Sequence, residues 1–225
     1  PTLPDHSTLR QCQEILDRFR LLDKFPQAVR QYFRSLDLSA TASPEPQTIE
    51  QSQFDILLSN QDLVNAARDH AESLGYNTVI DNTCDDWGYR EASAYLLRRF
   101  RELRRELPRL CLLSSGEVTV KLDGPSGCGG RNQHFALASA FELEKNPDDS
   151  VAVLSAGSDG IDGNSQAAGA IVDPTTVARA RARNFDPEAI LARYDTCTLF
   201  TALGDTIVTG PAGNNLRDLR VLLSC

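Results

Sequence analysis

Two polar, glycine-rich stretches hold the residue types best suited to chemistry. The first reads Gly124-Pro125-Ser126-Gly127-Cys128-Gly129-Gly130-Arg131-Asn132-Gln133 and runs into a helical pattern. The second reads Ser155-Ala156-Gly157-Ser158-Asp159-Gly160-Ile161-Asp162-Gly163 and follows the strand-like run Val151-Ala152-Val153-Leu154. One stretch offers backbone N–H donors and a guanidinium. The other offers two carboxylates. An anion-binding loop beside an acidic loop suits phosphoryl transfer to a small hydroxylated substrate, a reaction governed by positioning and charge neutralisation.

Arg131 falls in the first turn of the helix that the pattern starts near Gly130. A cation there faces the positive end of the helix dipole, which costs about 0.3–1 kcal/mol. No Asp or Glu in that turn offsets it. An anion held by the free N–H groups and by Arg131 would reverse the sign. Gly127, Gly129 and Gly130 would let the backbone approach that anion. The alternative is a flexible turn with a solvated arginine. The loop is neither G-x-G-x-x-G nor a Walker A sequence, and the chain's lysines, Lys24, Lys121 and Lys145, all lie outside it.

Asp159 and Asp162 follow a buried-type strand, at the end of the sheet where α/β proteins bind ligands. Asp159 there can bind Mg²⁺ or accept a proton from a substrate hydroxyl. The competing reading is an Asx-turn in which both side chains bond their own backbone. Glu117, after Ser114-Ser115-Gly116, offers a further acidic group. No H-E-x-x-H, no G-x-S-x-G and no dinucleotide fingerprint is present.

The elements that must position these residues alternate. Ser7 reads as the N-cap of a helix over 8–22, and Pro26 opens a second short helix. Residues 36–52, rich in Ser, Thr, Pro and Gln, read as a linker. A short apolar run at 54–58 precedes a helix at 61–74 that stops at Gly75. A strand at 77–80, a helix from Tyr89 to Glu106 and strands at 110–113 and 118–122 come next. Then come a helix at 131–143, a strand at 151–154, helices at 175–183 and 187–193, and short strands at 207–208 and 219–223. The arginine-rich stretch 98–109 reads as a solvated helix face with pairs such as Arg98–Glu102. The pattern predicts an α/β fold, a layered sheet with flanking helices preceded by a short helical lead-in.

With a net charge of −8, nucleic-acid and anionic-membrane binding are not expected. No apolar run approaches the roughly 20 residues of a membrane span. The six scattered cysteines read as reduced thiols of an intracellular protein. Pro1 to His6 reads as a loop cut from something longer.

These loops, in this order, resemble the MOFRL family, the C-terminal region of class II glycerate kinases, also labelled hydroxypyruvate reductases. The resemblance rests on Ser115-Gly116-Glu117, Gly129-Gly130-Arg131-Asn132-Gln133 and Ala156 to Gly163. It continues through Ala167-Ala168-Gly169-Ala170, Ala202-Leu203-Gly204-Asp205, Val208-Thr209-Gly210-Pro211 and Asp218-Leu219-Arg220-Val221-Leu222. It spans about 110–223. Departures fall at Ser115, His134, Gln166, Tyr194 and Asn214. The resemblance implies ATP- and Mg²⁺-dependent phosphorylation of D-glycerate in a cleft between two domains. Residues 1–50 would end a missing N-terminal domain, and 51–225 would be the C-terminal domain. Glu117, Arg131 and Asp159 would line the cleft as catalytic residues, with Asp159 as the metal ligand. Gly129, Gly130, Asn132, Gln133, Gly157 and Asp162 would bind substrate or phosphate. The alternatives are a hydroxypyruvate reductase or a non-catalytic truncated isoform. The expected partners are the small-molecule substrate and the missing domain, with homo-oligomerisation open. The expected compartment is the cytoplasm, with the mitochondrion as the alternative.

Overall fold

The computed structural model describes residues 7–36, 55–147 and 150–224. Backbone contacts divide the chain into two compact units, Pro1–Leu57 and Leu58–Cys225. The first contains α1 (Leu9–Arg18) and α2 (Gln27–Ser35), with a single 3₁₀ turn at Leu22–Lys24 between them. Thr8, not Ser7, caps α1. Its hydroxyl accepts from the Gln11 amide and the Gln11 side chain returns to the Thr8 amide, a reciprocal capping box. The linker expected at 36–52 lies, beyond Leu36, outside the described residues.

The second unit is built on a six-stranded mixed sheet in the order β1-β2-β6-β3-β4-β5. Its strands are β1 (Asn77–Ile80), β2 (Leu110–Gly116), β3 (Val151–Gly157), β4 (Gly169–Val172), β5 (Thr206–Ile207) and β6 (Asp218–Ser224). β1 and β2 are parallel and every other pairing is antiparallel. The helices are α3 (Asn60–Ser73), α4 (Tyr89–Leu103), α5 (Arg131–Glu144), α6 (Thr176–Ala182), α7 (Pro187–Ala192) and α8 (Thr196–Leu203). This is the layered α/β sheet with flanking helices that the alternating pattern predicts.

Two apolar layers follow from the period-2 alternation of the strands. On one face Leu110, Leu112, Val153 and Leu222 pack with Phe100 of α4 and with Phe135 and Leu137 of α5. On the other, Cys111 and Leu113 pack with Val64 and Ala71 of α3. α5 is buried almost throughout, from Asn132 to Ala140 and again at Leu143. Its position between the sheet and its neighbouring helices buries the polar Asn132, Gln133, His134 and Ser139 along with its apolar residues. No helix among the described residues is long and apolar enough to cross a membrane.

The topology builds the site. β6 enters the sheet between β2 and β3 and runs against both. The register sets Gly116, at the end of β2, and Gly157, at the end of β3, on either side of Asp218, the first residue of β6. The loops after β2 and β3 and the loop before β6 therefore leave the sheet at one edge.

Several expectations need correction. The run 118–122 is not a strand; its one bridge joins Thr119 to Gly88. Thr119 exchanges backbone hydrogen bonds with Trp87 and Tyr89, so the segment pairs with the lead-in to α4. α4 ends at Leu103, before Glu106. In the arginine-rich helix it is Arg99 that approaches Glu102, at 3.7 Å, while Arg98 lies over the Tyr95 ring. β4 and α8 carry no expectation in the sequence. α8 is a run of Thr and apolar residues whose propensity favours strand. It is helical because Gly204 closes it in the left-handed region (φ 78°) and because Leu199, Phe200 and Leu203 fill the core.

β4 shows how tightly the sheet is built. A Cβ on Gly169 would lie 1.9 Å from the Ser155 carbonyl oxygen, a backbone atom that cannot swing away. Gly169→Ala is therefore expected to destabilise the chain by about 2–3 kcal/mol, read as a lowered urea midpoint with an unchanged m-value.

Candidate functional site

The sheet edge opens into a cleft of about 600 Å³, lined by Asp86, Glu117 to Val120, Arg131, Asn132, Asp159, Ile161 to Gly163 and Asn215. Glu117, Arg131 and Asp159, from three separate segments, share this wall with Asn132 and Asp162. The guanidinium and the acidic turn face one space.

Arg131 is not waiting for an anion. Its Nε and Nη2 donate to both oxygens of Asp218, at 2.7 and 3.1 Å. Its Nη1 and Nη2 meet the two oxygens of Glu117, at 3.0 and 2.8 Å. A guanidinium has five N–H donors; three of them make hydrogen bonds to these two carboxylates. Burial pulls the Arg131 pKa down, but Asp218 and Glu117 more than offset it and the net shift is upward. The dipole cost expected for a cation at this helix start is met by two carboxylates remote in sequence.

The helix N-terminus is taken as well. Asp162, itself buried, accepts from the amides of Asn132 (3.0 Å) and Gln133 (2.9 Å), the second and third helical residues of α5. The Asn132 and Gln133 side-chain amides also reach it. Asp162 acts as an N-cap supplied from another loop. Burial drives its pKa upward against these hydrogen bonds.

Several of the residues expected to bind phosphate around this helix are engaged by the protein itself. Gln133 is fully buried, bonded to Asp162 and to Ser165. A Cβ on Gly129 would meet Thr196, and one on Gly130 would meet Asp162. These glycines permit close packing of protein on protein, and neither lines the cleft. Gly157 does not line it either; it sits in the sheet under Asp159 and Asp218.

Asp159 combines both of its sequence readings. Its Oδ1 accepts from the Ile161 amide at 3.1 Å, which is the Asx-turn. The same residue lines the cleft. Glu117 is held through its backbone: its N–H donates to Asp85 Oδ1 at 2.9 Å and its carbonyl accepts from the Asp86 amide at 2.7 Å. Asp85 in turn pairs with Arg217 at 2.7 Å. Among the described residues, no group of three or more His, Cys, Asp or Glu side chains is arranged to hold a metal.

Sequence reasoning gave no role to Asp218, Asp85 or Asp86. The available signal was Asp218 at the head of an apolar alternation, where an inward carboxylate demands a partner. Below the cleft, Arg220 is fully buried on the same face of β6. It donates to the Gly116 carbonyl at 3.1 Å, lies over the Phe135 ring and stands 4.0 Å from Asp218.

The stretch that continues beyond Val120 is held by a residue in an uncommon conformation. Tyr194 adopts φ 56°, a left-handed conformation costly for a bulky side chain. Its hydroxyl donates to the Lys121 carbonyl at 3.0 Å and accepts from the Asp123 amide at 3.3 Å. Its ring lies against His134, 5.6 Å between centroids, so two residues that depart from the family pattern contact each other.

Two outcomes follow. Asp162→Ala strips a buried cap from two amides and is expected to cost about 3 kcal/mol, read by chemical denaturation. His134 is buried and its pKa lies below the ordinary 6.5, chiefly through that burial and with Arg90 adding to it. The unfolded chain therefore binds the proton first, so stability is full above 6.5 and falls as pH drops below it. Tm should decline in that window, and His134→Gln should flatten the decline.

Comparison with known proteins agrees with this architecture. Residues 110–218 match the model of the MOFRL family. The chain is 30% identical over 223 residues to a D-glycerate 2-kinase of Thermotoga maritima, covering 97% of the chain and 50% of the relative. It is 32% identical to an Agrobacterium vitis protein provisionally named hydroxypyruvate reductase, covering 99% of the chain and 57% of that protein. The crystal structure of a glycerate kinase from Thermotoga maritima superimposes with a TM-score of 0.74 at 28% identity, over 98% of this chain and 51% of that one. The chain thus spans about half the length of these relatives. The segment running from β2 to the first residue of β6 encloses nearly every group that shapes the cleft, and in pattern, fold and relatives residues 110–218 are similar to the MOFRL family.

Proposed function

We propose that this chain forms one wall of a glycerate kinase, which transfers the terminal phosphoryl group of ATP to a hydroxyl of D-glycerate. The observation that carries the reading is the convergence of Glu117, Arg131 and Asp159 on one cleft through the flanking of Asp218 by Gly116 and Gly157. The names of the relatives supply the substrate class.

The charges of the wall refine the reading. Asp86, Glu117, Asp159 and Asp162 line the cleft against the single cation Arg131. An anionic acid and a nucleotide therefore need positive charge from elsewhere. Mg²⁺ carried by the nucleotide is one source, and the remaining half of the enzyme is the other. Mg²⁺ keeps several waters and needs only one or two carboxylates, which fits a site with Asp159 and no cage of three. Bound there, the ion would neutralise charge developing on the transferred group. Asp159 orients the substrate hydroxyl and accepts its proton. Arg131 keeps the Glu117 and Asp218 carboxylates fixed and offers a remaining N–H to the substrate.

The test is calorimetric and kinetic. Mg²⁺·ADP with D-glycerate should raise the Tm of the chain, because a ligand that binds only the native state stabilises it. With the second wall present, Asp159→Asn should lower kcat about 100-fold for D-glycerate phosphorylation while Tm holds. Oxidation of NADH by hydroxypyruvate, with no ADP formed from ATP and D-glycerate, would move the chain to the reductase reading.

A further inference from the structure

Five free cysteines lie among the described residues. Cys84 and Cys111 are buried in the core, and burial pushes their thiols up to about 12 and about 11. Cys12 belongs to the first unit. Cys128 and Cys197 are different, because both are partly exposed and they lie against each other.

The backbone fixes their separation. The Cys197 amide donates to the Cys128 carbonyl at 2.9 Å. An N–Cα bond of about 1.46 Å and a carbonyl span of about 2.4 Å from O to Cα then bound the Cα–Cα distance at about 6.8 Å. Disulfides occupy about 4.4–6.8 Å. Further bonds hold the two segments in register: Asp195 Oδ1 accepts from the Cys128 amide at 3.1 Å, and the Gly127 amide donates to the Arg193 carbonyl at 3.0 Å. The Cys128 thiol is pushed up to about 11, by burial first and then by a hydrogen bond with the Cys197 thiol.

We propose that Cys128 and Cys197 form a dithiol site that closes to an intrachain disulfide by exchange with a low-molecular-weight disulfide. Cys197 stands in the first turn of α8 and is the attacking thiol. Its thiolate displaces one half of the small disulfide, which leaves as a thiol after taking a proton, and a mixed disulfide remains on Cys197. Cys128 then loses its proton and attacks Cys197 Sγ. The second half leaves as a thiol. Two cysteine thiols are oxidised and one small disulfide is reduced to two thiols.

The cross-link reaches the cleft. The Gly129 amide donates to Asn164 Oδ1 at 2.8 Å, the Asn164 amide donates to the Gly129 carbonyl at 3.3 Å, and Asn164 Nδ2 donates to the Gly127 carbonyl at 3.0 Å. The loop carrying Cys128 thus braces the turn that carries Asp162. Closing the disulfide ties α8 covalently to that brace.

The experiment incubates the full chain, with Cys225→Ser to remove a competing terminal thiol, in buffers of stepped reduced and oxidised glutathione. Free thiols are then blocked and peptides mapped by mass spectrometry. The expected result is a peptide pair joined through Cys128 and Cys197, with Tm raised because a loop of about 70 residues is closed. Adding Cys128→Ser should trap glutathione on Cys197, and adding Cys197→Ser should leave Cys128 unmodified. A glutathione adduct on Cys197 that persists with Cys128 present overturns the proposal. So does modification of Cys12 while Cys128 and Cys197 both stay free.

Discussion

The site depends on where carboxylates go when they leave water. Asp162 and Asp218 are both buried; Asp162 has no opposite charge in its own loop, and Asp218 has only Arg220, 4.0 Å away, beside it in β6. Each must find donors across the fold. Asp162 finds the open amides of α5, and Asp218 finds Arg131, the first residue of the same helix. One helix terminus thereby satisfies two acidic loops. The position of α5 against the sheet is set from below by apolar packing and from its start by these bonds. Glu117, as the second partner of Arg131, is fixed by the same helix, so the cleft has little freedom to drift.

This changes the electrostatic character that loop composition suggests. Gly-rich loop, helix N-terminus and arginine together look like a receptor for an anion. In the folded chain the anion is internal: two aspartates have already occupied the places a phosphate would take. What remains exposed is mainly carboxylate, and such a surface recruits metal-bound or otherwise neutralised phosphates. The wall makes sense as half of a site whose positive charge arrives with the substrate or from beyond this chain.

Much of the fold was legible because its signals are local. β1 was read to the residue, and α3, α5, α6 and α7 came within a few residues, because periodicity and stop signals such as Gly75 act over one or two turns. The misses share a cause. Val118–Leu122 has a strand's composition but lacks a strand as partner, and α8 has a strand's composition but a helix's surroundings. In both, tertiary context overrode propensity. The cleft followed the same rule. Glu117, Arg131 and Asp159 were found because each sits in a marked loop. Asp218, Asp85 and Asp86 were missed because their importance lies in register and in partners 31 to 132 residues away.

Arg220 gives the cleft a property that its visible residues do not. The side chain has no exposed surface, so mobile ions cannot approach it closely. Screening weakens attraction between exposed charges but acts far less on buried ones. A permanent positive charge under the floor, lying on Phe135 and beside Asp218, therefore contributes a field that persists in concentrated electrolyte. The surface ion pairs of the outer helices fade under those conditions, whereas the grip of the floor on the acidic groups above it does not.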